Sequence, residues 1–530
     1  MGDPIVRDHR GEGNRPKPTP QSSDSGAIVR DHRKTAIEHI FVLMLENRSF
    51  DHMLGFSGIT GTDAVTGKPT TINGLKGNES NSFNGRTYTV QRGAANVMPH
   101  DPGHEFEDVL VQLSGSGAVY PRGGSYPAVH NTGYVAAYAK SSGKDSPGEV
   151  MKCYSPNELP VLTALAREFV VCDNWYASMP GPTWPNRMFA HAASSGGLDH
   201  SPSDSEIIEW ELAPGGGMEF KHGTIYHSLD KAKMKYALYG GDDFPMVAGL
   251  KGISILSIRD FSEHFVKDHH TSKYEYKYVF IEPSYDVFND YKNGTSQHPL
   301  GNVNHGEALI KATYEAIRNS PVWNTSLLII TWDEHGGFYD HALSGKPPQA
   351  VAPGDTNPNS EHNQHGFTFE EFGVRVPAIV VSPLIPRNLI DHRIYDHSSI
   401  PATVARTFGF QELTRRDADA NGLNILARLQ TARGDTPKTL PSPAPEAMAR
   451  IAMRTVIGAA PAARPDAPVN EGNLPAILHS ALRQDLQISL PEQRQAIVAR
   501  VQSIKTRAQA MEYMKEVEEK VRPRRIAATP

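Results

Sequence analysis

The sequence predicts an α/β protein with a mostly parallel sheet covered by helices on both faces. Between about residues 36 and 409, apolar runs of strand length alternate with helix-like and loop stretches. The clearest runs are IEHIFVLML (37–45), EFVVCDN (168–174), KYVFIEP (277–283), SLLIITW (326–332) and VPAIVVSP (376–383). Strands that are apolar throughout belong to sheets buried on both faces, and helical segments between them favour parallel pairing.

Length and composition exclude several classes of protein. The chain has 530 residues, of which 38% are hydrophobic and 21% charged, as in a soluble globular protein with a large core. The net charge of -6 leaves no basic field, so nucleic acid is not an expected partner. No apolar run reaches the roughly 20 residues that a transmembrane helix needs. The two cysteines, Cys153 and Cys172, are expected to be buried or unpaired thiols.

Changes in composition divide the chain into four predicted parts. Residues 1–34 are rich in Pro, Gly, Ser and charge and are expected to form a disordered tail. Residues 35–433 hold the strand-like runs and are expected to form one large domain. Residues 434–473 are expected to be a Pro- and Ala-rich connection, and residues 474–530 a helical extension.

The predicted tail contains the hexapeptide IVRDHR twice, at 5–10 and at 28–33. One interpretation is a short linear motif that a partner or an export machine recognises. A duplication without a role explains the repeat equally well. The N-terminus also lacks the apolar segment of a signal peptide, which predicts a cytoplasmic protein unless a signal-independent route exports it.

A long helix is predicted to start near Pro491. Apolar side chains at helical spacing form one stripe along it, made of Ile497, Val501, Ile504, Ala508, Met511, Met514, Val517 and Val521. The stripe requires a partner, which could be the large domain, a second copy of the chain, a membrane or another protein. Acids and bases mix on the polar face, so we expect docking within the chain or self-association.

Acidic and amide side chains follow two of the apolar runs directly. Glu46 and Asn47 come after the first run, and Asp333 and Glu334 after the fourth. Because ligands of such sheets bind beyond the carboxyl ends of the strands, we expect these four side chains to converge. Carboxylate and amide oxygens suit a divalent cation. Solvated loop residues or a helix cap at Asn47 are the alternative, but two acidic strand ends favour a metal site.

The segment GPTWPNRMFAHAASS (181–195) offers a hydroxyl for nucleophilic chemistry. Pro185 suits the first turn of a helix, which places Thr183 at a helix N-terminus. Free backbone N–H groups and the helix dipole favour an anion such as phosphate there, and Arg187 adds a positive charge. A hydroxyl beside a divalent cation is partly deprotonated and attacks phosphorus. Taken alone, however, the segment favours an ordinary helix cap at Thr183.

Four blocks of sequence resemble a known bacterial family. They are ENRSFDHMLG (46–55), TWPNR (183–187), DEHGGFYDH (333–341) and GVRVPAIVVSP (373–383). The sequence resembles the bacterial phosphoesterase family that contains non-haemolytic phospholipases C, related plant phospholipases C and respiratory-burst-inhibiting acid phosphatases. The similarity extends over roughly residues 36 to 410.

This resemblance implies an alkaline-phosphatase-like core and a catalytic role for residues 35–433. It also implies a divalent-metal site, for Ca, Mg, Mn or Zn, whose residues are Glu46, Asn47, Thr183, Asp333 and Glu334. Thr183 is then the nucleophile, which forms a phospho-threonine intermediate that water hydrolyses, with Arg187 beside it. Ser178 is the competing hydroxyl, but it lacks the helix start.

Histidines are the natural proton carriers of such a site. His298, in QHPLG, ranks first as a phosphate ligand or general acid, because a similar His-Pro pair occurs in family members. His104, in HDPGHEFED, ranks second, and His335, inside the third block, ranks third. His341 is as well suited to holding its loop by hydrogen bonds as to catalysis.

The expected function is hydrolysis of the phosphoester of a phospholipid headgroup. An acid phosphatase acting on soluble phosphomonoesters is one alternative, and a non-catalytic binding or delivery protein is another. Relatives of this family commonly act outside the cytoplasm. We therefore expect either export through the N-terminal tail, with the C-terminal helix as a partner-binding element, or a cytoplasmic enzyme confined to soluble substrates.

Overall fold

A large mixed sheet forms the centre of the molecule. The computed structural model describes residues 36–141, 143–271, 273–342, 361–451 and 457–528. The predicted tail with both IVRDHR copies lies outside these residues. The strands are β1 His39–Leu45, β2 Thr60–Asp63, β3 Pro69–Thr71, β4 Ser80–Phe83, β5 Arg86–Thr89, β6 Gln91–Arg92, β7 Lys152–Cys153, β8 Val170–Cys172, β9 Lys235–Gly240, β10 Ile258–Asp260, β11 Tyr276–Glu282, β12 Ser326–Trp332, β13 Ala378–Val381 and β14 Leu389–Asp391.

Ten of these strands form one sheet, in the order β10-β9-β11-β1-β12-β13-β8-β14-β2-β3. Neighbours pair in parallel from β10 to β12 and again from β8 to β2. Strand β13 runs antiparallel to both of its neighbours, and β3 runs antiparallel to β2. The predicted mostly parallel sheet is confirmed, and each of the five predicted apolar runs contains one of its strands.

Helices cover the sheet on both faces. They are α1 Phe106–Ser114, α2 Tyr134–Ser141, α3 Pro160–Glu168, α4 Thr183–Ala192, α5 Asp204–Leu212, α6 Ile225–Lys231, α7 Val266–His269, α8 Val303–Arg318, α9 Ser399–Phe408, α10 Arg415–Asp419, α11 Pro445–Ile451, α12 Leu474–Ile488, α13 Arg494–Ser503 and α14 Arg507–Ala528. Every side chain of β1 and β12 is buried, as expected for central strands with both faces covered.

The C-terminal residues do not form one long helix after Pro491, so that prediction is wrong. The chain leaves the helical conformation at Ile504, between α13 and α14. Thr506 and Gln509 cap the new helix reciprocally. The Gln509 N–H donates to the Thr506 Oγ1 at 3.4 Å, and the Thr506 N–H donates to the Gln509 Oε1 at 3.2 Å. This capping box starts α14 in a new direction.

The apolar stripe of the C-terminal helices docks within the chain. Met514, Val517 and Val521 are fully buried, and α14 packs against α12. The Arg525 guanidinium donates to the Asp243 carbonyl oxygen at 2.8 Å, which ties α14 to the loop after β9. The C-terminal helices therefore share one apolar core with the sheet.

Candidate active site

The carboxyl ends of β1 and β12 place the four predicted metal-binding side chains at one edge of the sheet. These strands pair in parallel with Leu45 opposite Trp332, so the residues that follow each strand are neighbours. All four of these residues have no exposed surface. They are Glu46, Asn47, Asp333 and Glu334. The two acidic strand ends therefore lie side by side, as the sequence predicted.

Asn47 connects the other members of the site. Its backbone N–H donates to the Asp333 Oδ1 at 3.1 Å, and its side-chain amide donates to the Thr183 Oγ1 at 3.2 Å and to the Glu334 Oε1. Asn47 has φ of 61°, in the left-handed region that Asn tolerates better than most residues. Gly336 lies directly against it, since a Cβ at Gly336 would overlap the Asn47 carbonyl oxygen.

Thr183 is the first residue of α4, as predicted, and is buried. Asn186 holds the loop before it, because its side-chain amide donates to the Gly181 and Pro182 carbonyl oxygens at 3.0 Å each. The Arg187 Nε donates to the Asp333 Oδ2 at 2.8 Å. The TWPNR block thus places a hydroxyl at a helix N-terminus and joins that helix to the acidic strand end.

Ser178, the competing hydroxyl, is committed to another network. Its Oγ donates to the Asp396 Oδ2 at 2.9 Å and accepts the His397 backbone N–H at 3.2 Å. Asp396 also accepts from the Arg416 Nε at 3.0 Å. Ser178 therefore stabilises the loop that precedes α4, whereas Thr183 faces Asn47.

The chemistry of these side chains fits a divalent cation. The Glu46 Oε1 and the Asn47 Oδ1 are buried and accept no hydrogen bond, which is costly unless a cation occupies the space between them. Burial raises the pKa of Glu46, and the Asp333 carboxylate raises it further. Burial also raises the pKa of Asp333, although Arg187 opposes the shift. A cation would relieve this crowding of acceptors, so Glu46, Asn47, Thr183, Asp333 and Glu334 could hold one.

His298 and His104 lie together beside this edge, with ring centroids 6.4 Å apart. The His298 Nδ1 accepts the Leu300 N–H at 3.2 Å, and its Nε2 lies 3.5 Å from an Asp101 carboxylate oxygen. Burial and the charge of His104 hold the pKa of His298 well below its usual value. Burial opposes protonation of His104, but Glu334 and Asp101 outweigh it and raise the pKa of His104 to about 10.

His335 and His341 are both engaged by neighbouring side chains. The His335 Nε2 donates to the Gln112 Oε1 at 2.7 Å, and its Nδ1 lies 3.4 Å from the Glu334 Oε2. The His341 Nδ1 lies 2.6 Å from the Asp51 Oδ2, and the His341 backbone N–H donates to the same oxygen at 2.8 Å. His341 thus holds its loop by hydrogen bonds, one of its two predicted roles.

A second acidic cluster, which we call the arginine cluster, consists of Asp51, Asp340, His341 and Arg375. Its carboxylate and imidazole atoms lie within 4.8 Å of one another, close enough for a metal ion. The Arg375 guanidinium, however, donates to the Asp51 Oδ1 at 3.0 Å and to the Asp340 Oδ1 at 2.9 Å. The guanidinium already supplies the positive charge that these carboxylates need, so this cluster holds the loops together.

Sequence reasoning missed three residues of the site. Tyr291 stacks on His298 with ring centroids 3.5 Å apart, and Asp101 faces the same imidazole. The Asn473 side-chain amide donates to the Glu46 Oε2 at 2.8 Å. Asp101 lies in the HDPGHEFED segment and could have been found there, whereas Tyr291 and Asn473 have no local pattern that points to this site.

The fold and the hydroxyl beside the acidic edge define a phosphoric ester hydrolase, and the comparison with known families agrees. Residues 37–411 match the Phosphoesterase family, and the chain belongs to it. This range includes every residue of the predicted site. Among the described residues, no helix is long and apolar enough to cross a membrane.

Several relatives are phospholipases C by name. The non-specific phospholipase C6 of Arabidopsis thaliana is 36% identical over 433 residues, covering 78% of this chain and 76% of that protein. The non-specific phospholipase C4 of the same plant is 33% identical over 428 residues, covering 77% and 74%. The phospholipase C B of Mycobacterium tuberculosis is 28% identical over 411 residues, covering 71% and 74%.

Solved structures align with the chain at low TM-scores. A protein in the alkaline phosphatase superfamily from Vibrio parahaemolyticus aligns with a TM-score of 0.30 and 13% identity, covering 62% of this chain and 82% of that one. The lipoteichoic acid synthase LtaP from Listeria monocytogenes aligns with a TM-score of 0.34 and 8% identity, covering 91% and 97%.

Proposed function

We propose that this protein is a metal-dependent phospholipase C, which hydrolyses the phosphoester of a phospholipid headgroup through a phospho-threonine intermediate. The observation behind the proposal is the contact of Asn47 with both Thr183 and Glu334, which joins a helix-terminal hydroxyl to an acidic edge with unsatisfied oxygens. The names of the relatives support the substrate class.

The N-terminus of α4 supports Thr183 as the nucleophile. Backbone N–H groups in the first turn of a helix have no partner within the helix, so they are available to the oxygens of a phosphate. Arg187 lies in the same helix, but its Nε already donates to Asp333. We assign it to holding Asp333 in place, with its positive charge adding to the attraction for the anion.

The reaction has two displacements at phosphorus. Thr183 loses its hydroxyl proton to solvent and attacks phosphorus, and the bond between phosphorus and the glycerol oxygen breaks. That oxygen takes a proton from the His298 and His104 pair and leaves as diacylglycerol. Water then attacks the same phosphorus and gives a proton back to the histidine pair. The bond between phosphorus and the Thr183 oxygen breaks, that oxygen takes a proton from solvent, and the phosphorylated headgroup is released.

Five residues would hold the metal ion, namely Glu46, Asn47, Thr183, Asp333 and Glu334. A divalent cation bound there would lower the pKa of the threonine hydroxyl and would compensate the negative charge of the phosphate oxygens. The protein's own contribution is the buried setting of the site, which strengthens each electrostatic interaction.

The test compares Thr183→Ala with Ser178→Ala in the purified full-length protein. Phosphatidylcholine vesicles and para-nitrophenyl phosphate serve as substrates, with and without added Mn²⁺. We expect Mn²⁺-dependent release of diacylglycerol, a fall of roughly 1000-fold or more in Thr183→Ala, and retained turnover in Ser178→Ala. Mass spectrometry of acid-quenched enzyme should find a phosphorylated peptide that contains Thr183.

The other outcomes select among the alternatives. Hydrolysis of para-nitrophenyl phosphate alone would indicate the acid phosphatase. Binding of vesicles without any turnover would indicate the non-catalytic protein. Loss of activity in Ser178→Ala but not in Thr183→Ala would move the nucleophile to Ser178.

A further inference from the structure

The residue before α12 reaches a carboxylate from the other end of the chain. The Asn473 side-chain amide donates to the Glu46 Oε2 at 2.8 Å, although 427 positions separate the two residues. Glu46 has no exposed surface, and Asn473 is 7% exposed. The Ser296 side chain also hydrogen-bonds to Glu46. The Oε1 is the carboxylate oxygen that accepts no hydrogen bond.

The backbone of the same residue reaches the histidine side of the site. The Asn473 N–H donates to the Tyr291 hydroxyl oxygen at 3.0 Å, and the Tyr291 ring stacks on His298 with an interplanar angle of 7°. Gly472 permits this approach, because it has φ of +57° and a Cβ there would lie 2.6 Å from the Tyr291 hydroxyl. Asn473 thus contacts Glu46 on the acidic side of the site and Tyr291 on the side of His298.

Helix α12 is anchored firmly enough to act as a support. The His479 Nε2 lies 2.7 Å from the Glu211 Oε1, and the Arg483 Nη1 lies 3.4 Å from the Glu211 Oε2. The His479 ring also stacks on Trp184, the neighbour of Thr183, with centroids 5.7 Å apart. The helix that begins after Asn473 is therefore fixed against the start of α4.

Helix capping does not account for the Asn473 side chain. Asn is a favoured residue at helix N-caps, where its side-chain oxygen accepts a backbone N–H of the first turn. Asn473 occupies this position in α12, but its side chain makes no such hydrogen bond. Its backbone is helical, with φ of -79° and ψ of -1°, and its side-chain amide donates to Glu46.

We propose that Asn473 is a positioning residue, which fixes the rotamer of Glu46 through its side chain and the Tyr291–His298 stack through its backbone N–H. The C-terminal segment, which lies beyond the family match that ends at residue 411, then completes the site. The proposal rests on the proposed function, because Glu46 is a metal ligand only there. Groups that orient a metal ligand typically contribute about 10- to 100-fold to metal affinity.

The first test uses Asn473→Ser in the full-length protein, with Gln484→Ala as the matched control. Serine remains a favoured N-cap for α12, but its side chain is one bond shorter and lacks the amide that reaches Glu46. Gln484 lies in the same helix and donates to the Asp243 carbonyl oxygen at 3.2 Å, away from the metal-binding side chains. Isothermal titration with Mn²⁺ alone measures affinity, and thermal unfolding measures stability.

We expect Asn473→Ser to weaken Mn²⁺ binding by roughly tenfold with little change in Tm. Gln484→Ala should lower Tm and leave the Kd for Mn²⁺ unchanged. Equal Kd values for Asn473→Ser and the wild type would overturn the proposal, as would an equal loss of affinity in the two variants. If the wild type itself binds no Mn²⁺, the metal site of the proposed function fails, and the inference fails with it.

Tyr291→Phe provides a second variant, which tests the histidine side independently. It keeps the ring that stacks on His298 and removes only the hydroxyl that accepts the Asn473 N–H. We expect kcat to fall several-fold, while the Kd for Mn²⁺ stays at the wild-type value. An unchanged kcat would contradict the proposal that the Asn473 N–H positions His298 through Tyr291.

Discussion

Two buried acidic clusters lie near the carboxyl end of β1, and they differ in what neutralises them. In the arginine cluster, the Arg375 guanidinium donates to both Asp51 and Asp340. At the candidate metal site, Arg187 donates to Asp333, while the Glu46 Oε1 accepts no hydrogen bond. The first cluster is compensated by the protein itself, and the second retains unsatisfied acceptors.

This difference shows that the proximity of carboxylates does not by itself indicate a metal site. The ligand atoms of Asp51, Asp340 and His341 lie within 4.8 Å of one another, which is the spacing of residues that share a metal ion. A buried guanidinium satisfies such carboxylates by bidentate contacts, which leaves a cation nothing to gain. The candidate metal site has the surplus of acceptors over donors that the arginine cluster lacks.

The largest expected effects come from two separate variants, each of which removes one carboxylate charge from one of the two clusters. Glu46→Gln should lower phosphoesterase activity and Mn²⁺ affinity by about 100-fold, because it removes a carboxylate charge from the proposed metal site. Its effect on Tm should be small, since the substitution also removes like-charge repulsion with Asp333. Asp51→Asn should instead destabilise the protein by about 3 kcal/mol, because it breaks a buried ion pair.

Activity assays, Mn²⁺ titration and thermal unfolding of both variants separate these two effects. The comparison fails if Asp51→Asn loses Mn²⁺ affinity at unchanged stability. It also fails if Glu46→Gln unfolds the protein and binds Mn²⁺ normally when folded.

A smaller effect is expected at Gly336, whose lack of a side chain allows Asn47 of the proposed metal site to lie against it. A Cβ there would overlap the Asn47 carbonyl oxygen, and the backbone has φ of +64°. We expect Gly336→Ala to lower the free energy of unfolding by about 1–3 kcal/mol. It should also reduce activity, because the added methyl group displaces Asn47. Gly409→Ala is the matched control, since Gly409 has φ of +78° with no atom within 4 Å.

Both glycine variants should show a lower Tm, but only Gly336→Ala should show a lower kcat and weaker Mn²⁺ binding. Similar kinetics in the two variants would mean that the contact of Gly336 with Asn47 has no bearing on the site.

The smallest expected effect is a pH dependence in the arginine cluster. Burial opposes protonation of His341, but its hydrogen bond to Asp51 raises its pKa above the ordinary value of 6.5. Asp340, Arg375 and Glu79 are the other charged groups that act on it. Because the folded pKa is the higher one, the stabilisation is fully present below about pH 6.5 and is lost as the pH rises through the folded value.

We therefore expect His341→Gln to lower Tm at pH 5.5 and to approach the wild type at pH 9. The contribution should not exceed about 1 kcal/mol, because the side chain is partly exposed. A difference in Tm that grows with pH would contradict the assigned direction of the pKa shift.

The sequence predicted the features of this protein that depend on neighbouring residues. Apolar runs showed where five strands lie, and Pro185 indicated that a helix begins at Thr183. The convergence of the two acidic pairs followed from the rule for parallel strands and not from any contact visible in the sequence. The assignment of catalytic and metal-binding roles still depends on the resemblance and remains a prediction.

The remaining features depend on long-range contacts or on signals that were overlooked. The apolar run of β13 does not reveal that this strand runs antiparallel, since burial on both faces is the same in either direction. Asn473 contacts Glu46 only because α12 docks on the sheet domain, and no local pattern encodes that docking. The break before α14 could have been predicted, because Thr506 and Gln509 have the spacing of a capping box.

The position of β1 in the sheet has a consequence for how the protein is made. This strand leaves the ribosome early, but its two partners are β11 and β12, which begin at Tyr276 and Ser326. At roughly 5–20 residues per second, synthesis takes between about a quarter of a minute and one minute to supply both partners. During that time, seven consecutive residues destined for the core remain unpaired and prone to aggregation. The edges of β1 are therefore satisfied by the sheet only after the chain has been translated as far as Trp332.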